Sequence, residues 1–314
     1  MFQAAMTEMT EPDRALLALL ELLAARGYRF VTPTPATHAR VVARRDRWEA
    51  RDLAGALGWS LPFRPGALDP EIVAALEAGG MLVADGAMLR SLVRVSSLGN
   101  RLFLHSAYPT DEEHSVFFGP DSYRFADFIH AELNEAKRIV DIGTGSGVGA
   151  IVAAGQCPGA AIVMTDVNEE ALRFARINAV HAGVDGELIL TDGVKDVEGG
   201  FDAALANPPY IIDPKGRAYR DGGDMHGGRI ALEMAKEAAE RLVPGGRLLL
   251  YTGSAIVGGR DELRDALREA LAVRRCDLAY REIDPDVFGE ELEQPAYADV
   301  DRIAVVGAVA VKRG

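Results

Sequence analysis

Between Arg138 and Thr191 the sequence alternates short apolar runs with helical ones, and a glycine-rich turn sits at the first junction. Arg138 to Ile142 reads as a strand, a helix follows Gly147, Ala161 to Thr165 is a second strand, a helix runs from Glu169, and Leu188 to Thr191 is a third strand. Further strands are expected at Phe201 to Ala206, Arg247 to Thr252, Asp277 to Glu282 and Arg302 to Val311, with helices near Ile230 to Leu242 and Asp261 to Leu271. Strands that alternate with helices must be joined by crossovers, which predicts an α/β domain with a doubly wound, mostly parallel sheet of seven strands. The last two strands lack a long helix between them, so an antiparallel closing hairpin is expected.

The chain before this domain has a different pattern. Residues 12–26 place six leucines at helical spacing and end at Gly27, the signature of a buried helix with a C-terminal cap. Arg47 to Leu57 and Pro70 to Leu76 read as two more helices, the second capped by Asp69 with Pro70 at its first position. Met81 to Ala84, Leu89 to Ser96 and Arg101 to Leu104 are short extended runs, the last two separated by the turn-like 97–100. Helices followed by a small hairpin predict an α+β, winged-helix-like module. The polar stretch His105 to His114 reads as a hinge, which divides the chain into a module over 1–108 and a domain over 109–314.

Composition narrows the class. Hydrophobic residues make up 48% and charged residues 26% of the 314, as in ordinary globular proteins. No apolar run approaches the length of a membrane span, and the N-terminal residues carry neither a basic leader nor a long apolar core, so a cytoplasmic location is expected. Cys157 and Cys276 have no Cys or His neighbours at zinc-ligand spacing, and no metal site is expected. A formal charge of −13 argues against non-specific coating of nucleic acid. That charge is segregated: residues 1–105 hold twelve arginines and no lysine against eleven acids, leaving −14 for the rest.

The turn Val140-Asp141-Ile142-Gly143-Thr144-Gly145-Ser146-Gly147 lets a ligand approach the backbone closely. Alone it also satisfies a loose dinucleotide pattern through Gly145, Gly147 and Ala150. Asp166, with Val167 beside it, ends the next strand, where a carboxylate can accept from both hydroxyls of a ribose. Asp141 beside the turn suits a cationic ligand better than a pyrophosphate, and Asp192-Gly193 end the third strand, where an acid can accept from an adenine amino group. Asn207-Pro208-Pro209-Tyr210 end the fourth strand, at the edge where such sheets bind ligands. An amide or aryl amine nitrogen is a poor nucleophile, so both its N–H bonds must be held and its lone pair aimed. Asn207 and the Pro208 carbonyl offer the two acceptors, the prolines stiffen them, and Tyr210 offers a flat face.

Taken together, the three acidic strand ends resemble the fingerprint of class I methyltransferases, which use S-adenosylmethionine. The tetrapeptide resembles that of the small-domain group, the HemK-like release-factor glutamine methyltransferases and their ribosomal relatives. The resemblance covers 115–314 and implies a macromolecular substrate: a glutamine of a release factor or ribosomal protein, or alternatively an exocyclic amine of ribosomal RNA. Asn207 and Pro208 would orient the target nitrogen and Tyr210 would pack against it. Phe118-Gly119-Pro120-Asp121-Ser122-Tyr123 is similar to the segment preceding the HemK fold, with Tyr123 in place of the usual acid. The N-terminal module does not read as the all-helical bundle of a glutamine methyltransferase.

Arg40, Arg44, Arg45, Arg47 and Arg51 beside Trp48 form the strongest basic stretch and could meet phosphate. The polar loop from Asp213 to Arg229 would close over a substrate, with Arg217, Tyr219, Arg220 and His226 as contacts. His38, His105, His130 and His181 lack triad or metal spacing and read as structural. A non-catalytic protein that binds S-adenosylmethionine and an NAD-linked oxidoreductase are the competing readings; Asn207 speaks against the first and Asp141 against the second.

Overall fold

Why these segments fold as they do is clearest in the strands. Ile139-Val140, Ile162-Val163-Met164, Ala203 to Ala206 and Leu248 to Tyr251 are unbroken buried runs, the pattern of strands covered on both faces. The computed structural model describes residues 9–213, 216, 217 and 219–314. They form β5 (Arg138–Ile142), β6 (Ala161–Asp166), β7 (Glu187–Leu190), β8 (Phe201–Ala206), β9 (Leu242–Val257), a two-residue β10 (Arg260–Asp261), β11 (Cys276–Asp284) and β12 (Arg302–Lys312). The sheet order is β11-β12-β9-β8-β5-β6-β7, with β10 paired to β9 outside that path. β5, β6, β7, β8 and β9 run parallel, whereas β12 lies antiparallel between β9 and β11. The expected closing hairpin is therefore present, inserted with its last strand inward.

Two compact units make up the chain. The first contains the described residues up to Arg124 with Gly145–Val148 and Glu170–Asp185; the second contains Phe125–Thr144, Gly149–Glu169 and Gly186–Gly314. In the second unit, α8 (Arg229–Arg241) and α9 (Glu262–Val273) cover one face of the sheet. Ala231, Ala235, Ala238 and Ala239 of α8 join Val140, Ile142, Ala204 and Leu250 in one core, together with Leu263, Leu267 and Leu271 of α9. Small residues on α8 let its backbone approach the strands, and the leucines of α9 fill the remaining depth. Phe125 packs against Tyr251 of β9 with ring centroids 5.9 Å apart. Gly307 of β12 leaves room for Phe128, whose ring a Cβ there would strike.

The first unit begins with α1 (Glu11–Ala25), where Thr10 and Asp13 form a reciprocal capping box. Its leucines 16, 19, 20 and 23 are fully buried, with Ile72 and Leu76 of α4 (Pro70–Ala78) in the same core. Asp69 caps α4 as the sequence predicts, accepting from Glu71 N at 3.0 Å. Between them lie α2 (Pro35–Val42), opened by Thr34 and Pro35, and α3 (Leu53–Leu57). α2 was not expected, and the helix expected from Arg47 shrinks to α3. The reason is local: Asp52 accepts from Gly55 N at 2.7 Å and starts the helix there, while Ala50 N is drawn off to Pro62 O at 2.7 Å. The arginines at 44, 45, 47 and 51 consequently lie on irregular chain and not on a helix face.

Two hairpins follow instead of one. β1 (Leu82–Asp85) pairs with β2 (Met88–Ser91), and β3 (Val93–Leu98) pairs with β4 (Arg101–Ser106). The run expected from Leu89 to Ser96 thus breaks at Leu92, and β4 carries His105 into the strand and out of the expected hinge. Further helices are α5 (Pro120–Glu132), α6 (Val148–Gln156) and α7 (Glu169–His181). Asn178 of α7 is fully buried and holds β4 from both sides of one residue: its Oδ1 accepts from Leu104 N at 2.8 Å, and its Nδ2 donates to Leu104 O at 2.9 Å. Arg173 of α7 donates to Asp13 of α1 at 2.6 Å. No helix among the described residues is long and apolar enough to cross a membrane.

Candidate active site

Sheet register brings the predicted residues to one edge. Asp141 is the register partner of Leu205 and Ile142 of Ala206, so Asn207 begins immediately beyond the end of β5. Ile142 is opposite Thr165, and Asp166 opposite Leu190. Asp192, Asp166, Asp141 and Asn207 therefore follow one another along the carboxyl ends of β7, β6, β5 and β8, a span of about 14 Å at the usual strand spacing. β5 and β8 flank the point where the chain changes direction across the sheet, the crevice in which open α/β folds take their ligands.

The ends are stitched together by backbone bonds. Thr144 N donates to Thr165 O and Thr191 N to Asp166 O, both at 2.9 Å, and Thr165 Oγ1 donates to Gly193 O at 2.9 Å. Gly143, Gly145, Gly147 and Gly193 all have left-handed φ, between 54° and 80°; at Gly143 this allows the tight exit from β5. Asp141 is only 2% exposed. Its Oδ2 accepts from Thr144 Oγ1 at 2.6 Å and from Ala150 N at 2.8 Å, and its Oδ1 leaves no room for a Cβ at Gly149. The carboxylate expected to face a cation is thus also the brace of the turn. Burial pushes it up to about 6, against the lowering pull of those two hydrogen bonds, with the nearby Asp166 adding to the rise.

Farther along the edge, Asp166 Oδ1 accepts from Asn168 N at 3.0 Å, which fixes the turn carrying Val167. Val167 and Leu190 are large apolar side chains left 57% and 50% exposed at neighbouring strand ends. Asp192 is exposed and pairs with Lys195. A Cβ at Gly193 would run into Glu237 Oε2, so α8 supplies an acid at this end that the sequence pattern did not single out.

The tetrapeptide is held from behind. Pro208 is buried and Asn207 partly exposed, and among the described residues nothing hydrogen-bonds the Asn207 side chain. Tyr210 departs from expectation, because its ring is not an open platform. It is 7% exposed, lies where a Cβ at Gly253 of β9 would collide with it, and meets Phe288 edge-on at 5.8 Å. The next residues are tied down too: Ile211 bridges to Asp221, and Ile212 N donates to Tyr297 Oη at 2.7 Å. Phe288, Glu291 and Tyr297 belong to the connection between β11 and β12, which the sequence reading passed over.

The loop expected to contact a substrate is largely engaged with the protein itself. Arg217 grips Asp213 through two nitrogens, at 2.7 and 2.8 Å, and its guanidinium lies 5.6 Å from the Tyr219 ring centre. Arg220 pairs with Glu291, and His226 meets Asp299 at 3.1 Å. These contacts tie Arg217 and Arg220 into the protein itself. Pro214, Lys215 and Ala218 of that loop lie outside the described residues. No group of His, Cys, Asp or Glu among the described residues could hold a metal ion.

Fold and edge together define a Rossmann-like domain of the S-adenosylmethionine-dependent methyltransferases. Residues 125–276 match the model of the methyltransferase small domain family. A release factor glutamine methyltransferase of Deinococcus radiodurans is 35% identical over 180 residues, 52% of this chain and 60% of that protein. A tRNA1(Val) (adenine(37)-N6)-methyltransferase of Pedobacter heparinus is 37% identical over 100 residues, 31% of this chain and 43% of that protein. The chain thus spans well under two thirds of these relatives' lengths. Among solved structures, Trm5b from Pyrococcus abyssi superposes with a TM-score of 0.51 at 15% identity, over 77% of this chain and 68% of that one, a likeness of fold alone.

Proposed function

We propose that this chain methylates a planar nitrogen of a translation component in the cytoplasm, foremost the side-chain amide of a glutamine in a release factor or ribosomal protein. The observation that carries this reading is Asn207: a partly exposed amide, without a hydrogen-bond partner among the described residues, at the switch point of the sheet, on a backbone locked by two prolines and the Tyr210 anchor. The glutamine methyltransferases among its relatives support the same substrate class.

The edge fits the cofactor. Val167 and Leu190 expose apolar surface of the kind that a flat adenine covers, Asp166 stands where ribose hydroxyls would donate, and Asp141 supplies negative charge near the turn. S-adenosylmethionine, when bound, supplies an electrophilic methyl group on a sulfonium. Asn207 Oδ1 and the Pro208 carbonyl accept the two N–H bonds of the target and hold its lone pair toward that methyl. The nitrogen becomes strongly acidic only after the methyl has arrived, so its proton leaves to solvent and no strong base is required. Tyr210 acts from below, fixing the backbone that presents both acceptors.

Charge favours protein over RNA at this site. The β11–β12 connection that anchors the tetrapeptide exposes Asp286, Glu290, Glu293 and Asp299, which repel a phosphate backbone. The RNA-amine reading retains one observation of its own: Arg40, Arg44, Arg45 and Arg51 are exposed, and Trp48 is 50% exposed with Arg64 5.5 Å from its ring centre. On either reading, residues 1–108 serve as the substrate-recognition module. Transfer of labelled methyl from S-adenosylmethionine into cell extract, followed by ribonuclease or protease, separates the two. Label released by protease alone supports the glutamine reading, label released by ribonuclease overturns it in favour of RNA, and no label revives a non-catalytic binding protein.

A further inference from the structure

Arg94 of β3 is 4% exposed, yet among the described residues no carboxylate pairs with it. Its Nη2 donates to Thr32 Oγ1 at 3.2 Å, a hydroxyl that also bonds Ser96 Oγ, its guanidinium lies 5.8 Å from the Phe30 ring centre, and among the described residues its Nε has no partner. Close to it, His38 is 1% exposed and stacked on Tyr108 at 3.9 Å. Among the described residues neither ring nitrogen of His38 reaches a hydrogen-bond partner; the Trp59 backbone is near but outside bonding geometry. Three of the five buried, unpartnered side-chain atoms among the described residues belong to these two residues.

Such an arrangement is costly as it stands. A buried cation without a counter-charge carries a desolvation penalty that one hydroxyl and one ring face do not offset, and an apolar side chain of similar volume would be cheaper. Burial holds Arg94 down to about 10 and, together with the Arg94 charge, His38 down to about 4. Arg94 thus remains cationic at neutral pH while His38 is neutral and can donate one N–H. The ionisable groups that act on Arg94 are Tyr28, Tyr108 and Tyr123, beside His105, which burial keeps uncharged; the carboxylate of Asp52 is felt at Tyr28 but makes no pair with Arg94. The missing element is a negative charge.

We propose that Arg94, Thr32 and His38 form a carboxylate-binding site inside the first unit. The Nε edge of a guanidinium matches the two oxygens of a carboxylate, the Thr32 hydroxyl lies on the same side through its bond to Nη2, and the His38 N–H adds a neutral donor. Binding would neutralise the buried charge and satisfy the orphaned nitrogens in one step. The carboxylate is either a free small acid or the amino-acid end of a larger ligand.

The test is thermal unfolding of the full chain in sodium formate against sodium chloride at equal ionic strength. Formate is expected to raise the melting temperature of the wild type by several degrees and that of Arg94→Met not at all, with the variant at least as stable as wild type in chloride. His38→Phe keeps the stack on Tyr108 and removes only unpartnered nitrogens, so it should fold and lose at least half of the formate shift. Equal formate responses in all proteins that fold, the wild type and His38→Phe included, would overturn the site. A second arm compares glycine with glycinamide, which lacks the carboxylate. A stabilisation by glycine alone that is lost in Arg94→Met identifies the amino-acid end of a larger ligand as occupant, whereas a response to formate alone identifies a free acid. The formate arm stands even if the chain proves to bind no cofactor.

Discussion

Two residues of the proposed site stand in opposite states: among the described residues nothing hydrogen-bonds the Asn207 side chain, whereas the Asp141 carboxylate is held by Thr144 and Ala150. If Asn207 orients the target nitrogen, Asn207→Ala should lower single-turnover methyl transfer by about 10²–10³-fold, the scale of a lost oriented polar contact in a preorganised site. Affinity for S-adenosylmethionine, read by calorimetry, should stay within twofold. Asp141 makes a prediction about pH. Its carboxyl titrates near 6, so it is neutral below that value and charged above it. A cationic cofactor is attracted only to the charged form. Affinity for S-adenosylmethionine should therefore rise as pH increases from 5 to 7, by about fivefold if binding lowers this pKa by one unit, and Asp141→Asn should flatten the curve. A flat wild-type curve would mean that the cofactor's positive charge lies too far away to feel this carboxylate.

At the scale of elements, the connection between β11 and β12 sets the position of the tetrapeptide. Tyr297→Phe removes the acceptor for Ile212 N while keeping the ring, and should cost about 1–3 kcal/mol of stability and lower kcat with little change in the cofactor's Kd. Gly253→Ala drives a methyl into the Tyr210 ring; overpacking of this kind costs about 1–3 kcal/mol, and transfer should fall at least tenfold while the circular dichroism of the sheet persists. The same two elements show what a sequence can reveal. Asp141, Asp166, Asp192 and Asn207 were legible because each sits at or just past the end of an apolar run, where strand geometry alone dictates which edge it reaches. Tyr297 and Phe288 were not, because they lie some eighty residues from Tyr210 and meet it only through the order in which strands are laid into the sheet. The fate of Arg217 and Arg220 was hidden for the same reason: whether a charged side chain in a loop faces a substrate or an internal acid depends on a partner such as Glu291, which no local pattern names. In the first unit, the helix expected over 47–57 failed where Asp52 competed for the backbone, an effect of one side chain that averaged propensities do not capture.

For the whole molecule, cofactor binding should be visible as stability. A ligand at 100 times its Kd adds about 2.7 kcal/mol to the folded state, which for a chain of this size shifts the melting temperature by on the order of 5 °C. S-adenosylmethionine should produce this shift in the wild type, NADH should not, and Asp166→Ala should abolish it; a shift with NADH instead would overturn the cofactor assignment. The charge of −13 slows the approach of the molecule to any polyanion.

The antiparallel β12 has a consequence for how the sheet comes to exist. During synthesis β9 and β11 are made first and β12 last, yet ten residues of β12 pair with β9 and it separates β9 from β11. Until β12 emerges, the apolar Leu248 to Tyr251 run presents an open strand edge, the kind that recruits other chains. The final strand therefore acts as the keystone of assembly. A nascent or truncated chain lacking it would expose an adhesive edge beside an otherwise complete parallel half-sheet, and aggregation in the cell would begin there.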